Sequence, residues 1–105
     1  MNIQLTSHAR ARLAERLPGI RALDYDQVVL NAWSSRETSQ TLLFLRQQNS
    51  EPRYRIKYKY RLRAGMVYVF RYHHHHETVQ LITLFRHQSP ESTMLYQDFN
   101  RWAEA

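Results

Sequence analysis

Apolar and polar positions follow two periods along the chain, and the point where the period changes divides it in two. Ala9, Leu13 and Leu17 recur every four residues behind Thr6 and Ser7, and Pro18-Gly19 follows. This spacing predicts a helix that opens at a hydroxyl cap and stops at the Pro-Gly pair. A second row on that helix is polar: His8, Arg12 and Arg16. Asp24 with Gln27 three residues on has the form of a capping box, and Tyr25, Val28, Val29, Ala32 and Trp33 supply the apolar stripe of a second short helix that Ser34-Ser35 ends. Residues 40–46, QTLLFLR, are apolar on both faces in their middle, which predicts a covered strand, and residues 47–52 read as loop.

From residue 53 to 63 the period becomes two. Every odd position is basic (Arg53, Arg55, Lys57, Lys59, Arg61, Arg63) and every even one is apolar or aromatic (Tyr54, Ile56, Tyr58, Tyr60, Leu62). A helix would scatter these charges round its circumference, whereas a strand lines them on one face. Ala64-Gly65 turns the chain back into residues 66–72, and residues 78–85, TVQLITLF, make the next antiparallel strand. Ser89-Pro90-Glu91 opens a last helix whose Leu95, Phe99 and Trp102 face the core. The pattern therefore predicts one α+β domain over residues 1–105: two N-terminal helices, a four-stranded antiparallel sheet and a C-terminal helix packed on one sheet face.

The hairpin admits two registers. A two-residue Ala-Gly loop pairs Arg63 with Met66 and leaves Met66, Tyr68, Phe70 and Tyr72 on the charged face. A three-residue loop with a left-handed Gly65 pairs Leu62 with Met66, Tyr60 with Tyr68 and Tyr58 with Phe70, and one face becomes wholly apolar. Ala-Gly is a poor pair for a type I′ turn, so the three-residue loop is the expected one. It puts Lys57 opposite Arg71, and Arg55 and Arg53 opposite His73 and His75, on the solvent side of the sheet.

Charge sharpens this picture. Residues 46–71 carry +7 and the rest of the chain −1, within a net charge of +6. The basic residues are 13 Arg and two Lys, and the planar fork of arginine suits phosphate oxygens. A stripe of one sign, not interspersed with acids, predicts a polyanionic partner, RNA or another nucleic acid, on Arg53, Arg55, Lys57, Lys59, Arg61, Arg63, His73 and His75. The chain has no Cys, which removes thiol nucleophiles and thiolate metal sites. The polar N-terminal stretch lacks the apolar core of a signal peptide, and no apolar run is long enough to span a bilayer, so a cytoplasmic location is expected.

Four consecutive His, residues 73–76, invite a metal reading. Alternation along a strand sends His73 and His75 to one face and His74 and His76 to the other, and no Cys or carboxylate pair completes a zinc set. No metal or other cofactor is expected. With no glycine-rich phosphate loop and no acidic cluster for Mg²⁺, kinase and two-metal nuclease chemistry are disfavoured. Metal-free RNA cleavage needs an acid, a base and fixed cations round the phosphorane, and His, Tyr, Arg and Lys supply these.

The opening TSHARARLAERLPGI, the segment LDYDQVVLNAW, and the late runs GMVYVF and VQLITLFR resemble those of RelE/BrnT-type ribonuclease toxins, within the broader group that includes the colicin-type RNases. The resemblance implies a compact sheet with helices packed on one face, metal-independent RNA cleavage on the other, and an antitoxin or other protein partner. It carries onto this chain His8, Arg12, Glu15 and Arg16 of the first helix and Thr83 and Arg86 of the last strand, with Lys57 and Arg71 as cations on sheet strands. The expected catalytic set is His8, Arg12, Arg71 and Arg86. The alternative is a module that binds nucleic acid, or occupies a host protein, without chemistry.

Overall fold

A computed structural model describes residues 2–48, 56–73 and 78–87. The chain opens with strand β1, Asn2–Leu5, too short for its alternation to be read from sequence. Thr6 then does two jobs. Its hydroxyl oxygen accepts the Ala9 N–H at 3.0 Å, capping helix α1, Ser7–Arg16, and its hydroxyl donates to the Leu81 carbonyl at 3.2 Å. The helix closes as expected at Leu17, whose N–H reaches the Leu13 carbonyl, just before Pro18-Gly19. A 3-10 turn, Ala22–Asp24, leads into helix α2, Tyr25–Trp33. The Asp24–Gln27 capping box does not form: the Asp24 carboxylate accepts from Arg21 Nε, and Gln27 bonds Asn31.

Residues 40–46 are not a strand. They belong to helix α3, Gln40–Gln48. Ser39 Oγ accepts the Leu42 N–H at 3.1 Å, the geometry of an N-cap, and Leu42 and Leu45, three apart, are both buried. A short apolar run suits a buried helix and a covered strand alike, and the cap decides.

Strands β2, Ile56–Arg63, β3, Met66–His73, and β4, Thr78–Arg86, complete a four-stranded sheet of order β1-β4-β3-β2. β1 runs parallel to β4, so the sheet is mixed and not wholly antiparallel. Among the described residues three α-helices, not two, precede the hairpin, and they cover both sheet faces. Ala9, Leu13, Tyr25, Val29 and Ala32 of α1 and α2 pack on Met66, Tyr68, Phe70, Val79, Leu81 and Leu84. Leu42 and Leu45 of α3 pack on Tyr60, Leu62, Val67, Val69, Ile82 and Phe85 on the opposite face. A bulge lets β4 feed both cores: Leu81 opposes Phe70 and Thr83 opposes Val69, leaving Ile82 as the extra residue. The expected C-terminal helix, from Ser89 on, lies outside the described residues.

The hairpin takes the two-residue register, with Arg63 opposite Met66, Tyr60 opposite Val69 and Tyr58 opposite Arg71. The expected pairings of Leu62 with Met66 and of Lys57 with Arg71 are therefore shifted by one residue. Ala64 and Gly65 both have positive φ, +50° and +76°, as a type I′ turn requires. Left-handed Ala costs about 1–2 kcal/mol. Two-sided burial offsets that cost: Met66, Val67, Tyr68, Val69 and Phe70 are all buried, at about 1.5–3 kcal/mol for each large apolar side chain.

Candidate nucleic-acid interface

The cations of β2 do not form one open surface. In the observed register its odd residues share a face with Met66, Tyr68 and Phe70, the face that α2 covers. Lys59 and Arg61 are half-buried there. Lys59 Nζ lies 5.3 Å from the ring centroids of both Trp33 and Tyr72. The Arg61 guanidinium lies 5.4 Å from the Trp33 ring, and its Nε donates to the Trp33 carbonyl at 3.0 Å. Both cations thus sit at the C-terminal end of α2, where exposed carbonyls carry partial negative charge. Burial, reinforced by Arg46, draws the Arg61 pKa below the ordinary arginine value, and Tyr72 opposes this. Arg63 is exposed beside the turn. The backbone of Lys57 pairs with Tyr72 and that of His73 with Ile56, while Arg53, Arg55 and His75 lie outside the described residues.

Arg71 stands on the other face. Its neighbour Phe70 belongs to the α1–α2 core, and Tyr58, opposite Arg71, packs against the α3 core. Arg71 Nε and Nη2 both donate to Gln80 Oε1, at 3.3 and 2.8 Å. Gln80 in turn pairs with Gln4 of β1, so Tyr58, Arg71, Gln80 and Gln4 form a polar row across all four strands.

The α1 residues gather elsewhere. α1 begins where Thr6 meets Leu81 and Ile82, and it runs beside β4 towards that strand's end. The exposed His8 brings Nε2 to 3.4 Å from Thr83 Oγ1. One turn on, Arg12 forms an ion pair with Glu15 at 2.8 Å. At the last turn Arg16 lines a hollow of about 350 Å³ with Arg86, His87, Leu17, Met66 and the Ala64-Gly65 turn. His87 is fixed twice: its N–H donates to the Gly65 carbonyl at 2.8 Å, and its Nε2 is 2.9 Å from Ser39 Oγ, the cap of α3.

Of the four expected catalytic residues, the structure places His8, Arg12 and Arg86 along this α1–β4 seam and Arg71 on the opposite sheet face. The residues carried by the resemblance, His8, Arg12, Glu15, Arg16, Thr83 and Arg86, all belong to α1 or β4. His87 and Ser39 went unflagged in the sequence, although His87 directly follows Arg86. Among the described residues, Arg10, Arg36, Arg63, Arg71 and Arg86 form no ion pair with a carboxylate. Also among them, no group of three or more His, Asp or Glu could hold a metal ion, and no helix is long and apolar enough to cross a membrane.

No family model matches the sequence, and neither a curated protein nor a solved structure matches the chain.

Proposed function

We propose that the protein is a nucleic-acid-binding module that holds RNA along the α1–β4 seam. One observation carries this reading: the exposed Arg86, at the end of β4 beside the last turn of α1, forms no ion pair with a carboxylate among the described residues. A cation such as Arg86, which no described carboxylate compensates, is what a phosphate backbone recruits, and the contact needs no base-specific geometry. His8 and Arg12 extend the same band along the helix, with Thr83 as a hydroxyl donor to phosphate or sugar oxygens. Binding is favoured over cleavage because Arg71, the strand cation expected to stabilise a phosphorane, lies across the sheet from His8.

Fluorescence anisotropy of a labelled single-stranded RNA, titrated over a salt series in EDTA, tests the reading. Affinity should fall with salt with a slope of about −0.7 per phosphate contacted. Replacing Arg12, Arg16 and Arg86 by Gln should flatten the slope by about 2. An unchanged slope in this variant would move the interface elsewhere. Shortening of the RNA by wild-type protein in EDTA would overturn binding without chemistry and restore the endoribonuclease.

A further inference from the structure

The two edges of the sheet are finished differently. On the outer edge of β2 the Leu62 carbonyl accepts from Ser35 Oγ at 2.6 Å, and the Tyr60 carbonyl accepts from Arg46 Nη2 at 3.2 Å. Glu37 adds a bridge to Leu62, and β2 carries a cation at every second residue. Caps and charges of this kind keep an edge from pairing with another chain. Among the described residues β1, at the other end of the sheet, has no such cap, and its sequence NIQL holds no charge and no proline.

The backbone of β1 fixes which groups it offers. Thr6 donates its N–H to the Leu81 carbonyl at 3.3 Å, so the even residues of β1 turn their N–H and C=O groups to β4. Strand backbones alternate, and Ile3 and Leu5 therefore turn theirs outward. Among the described residues nothing bonds them there. A second β1 running antiparallel along this edge gains most when Ile3 of each copy meets Leu5 of the other, because each such pair exchanges both of its N–H···O=C bonds. Gln4 then meets Gln4 on the two-fold axis. Setting Ile3 opposite Ile3 instead leaves the Leu5 groups of both copies without a partner in β1.

The side chains agree with that register. Ile3 and Leu5 are only partly buried against the α1–α2 core, and opposite residues share a face, so each covers its counterpart in the other copy. Gln4 is exposed and ends the row of Tyr58, Arg71 and Gln80. On the axis its amide faces an identical amide, which both donates and accepts. We infer that β1 is the contact of a symmetric dimer, in which two copies of this chain join their sheets through antiparallel β1 strands with Gln4 at the two-fold axis.

Sedimentation velocity of the full chain over a dilution series should show a monomer–dimer equilibrium. Ile3→Pro removes an N–H that faces away from β4, so the β1–β4 bonds persist while the dimer dissociation constant rises about tenfold or more. Crosslinking reads the register apart from any change in stability. The chain has no Cys, so one introduced thiol can pair only with its copy. In a non-hydrogen-bonded antiparallel pair the Cα atoms lie about 4.5 Å apart, within disulfide reach, and Gln4→Cys should form a linked dimer under mild oxidation. Asn2→Cys, exposed on the same face of the same strand, should not, since the register sets it opposite Thr6. A chain that stays monomeric throughout the series, a dimer that Ile3→Pro leaves unchanged, or equal crosslinking at both positions overturns the inference.

Discussion

Arg61 Nε donates to the backbone carbonyl of Trp33 at 3.0 Å, with its guanidinium beside the indole ring. A cation on an exposed β-strand face would reach solvent, whereas this one closes the C-terminal end of α2. The contact is a charge-assisted hydrogen bond to a group at the negative end of a helix. Arg61→Ala should therefore destabilise the fold by about 1.5–3 kcal/mol. Arg63→Ala, two residues on and exposed, should change stability by less than about 0.5 kcal/mol. Urea denaturation of both variants checks this, and equal small effects would put Arg61 back in solvent.

Ala64 is the residue that the turn suits least. At φ +50° its Cβ is strained, and Asn-Gly is the preferred pair for a type I′ turn. Ala64→Asn should stabilise by about 1 kcal/mol, read as a rise in Tm, since Asn tolerates the left-handed conformation. The Ala64 N–H bond to Glu37 Oε2, at 3.2 Å, is a backbone bond and survives the change. A loss of stability would mean that the turn is not type I′.

For α3 the signature is spacing. Leu42→Ala and Leu45→Ala should each cost about 2–5 kcal/mol, and Leu43→Ala, at a site 53% exposed, less than about 0.5. Two costly positions three apart with a neutral one between them indicate a helix. Costs that alternate in period two would indicate a strand.

These three regions show where the sequence was legible. The bounds of α1 and α2 followed from Thr6, Pro18-Gly19 and the apolar stripes, and the period-two run located β2. The observed hairpin register differs from the expected one because both faces of the sheet are covered, where the expectation keeps one in water. The uninterrupted apolar run of residues 66–70 was the contrary signal, since strands covered on both faces lose their alternation. The seam was half legible: the row His8, Arg12, Arg16 is local in sequence, but its union with Thr83 and Arg86 depends on Thr6 bonding to β4, 75 residues away. No local pattern encodes that approach.

Buried phenols predict the alkaline limit of stability. Burial, with a contribution from Tyr58, raises the Tyr60 pKa well above its ordinary 10.0, and burial raises that of Tyr68 against an opposing Arg63. Above pH 10 the unfolded chain ionises both hydroxyls while the folded chain keeps them neutral. The stability they support is thus full below pH 10 and falls as pH rises beyond it, by up to about 1.4 kcal/mol per pH unit for each tyrosine. Urea melts between pH 9 and pH 11 should show this decline, and Tyr68→Phe should make it shallower by one tyrosine's share. An unaltered decline in the variant would mean that the Tyr68 hydroxyl is hydrated in the fold.

The last prediction sets the two sheet faces against each other. Arg71 spends two donors on one oxygen of Gln80, so it ties β3 to β4, and it lies on the α3 side, away from α1. Arg86 is exposed at the mouth of the hollow, with no carboxylate partner among the described residues. If RNA follows the seam, Arg86→Gln should weaken binding about five- to tenfold at low salt, with a shallower salt slope. Arg71→Gln should change affinity by less than about twofold, and its effect should appear in stability instead. Anisotropy at two salt concentrations separates these outcomes. The reverse order, with Arg71 dominant and Arg86 silent, would place the nucleic acid on the row of Tyr58, Arg71, Gln80 and Gln4, which carries donors across all four strands of the α3 face.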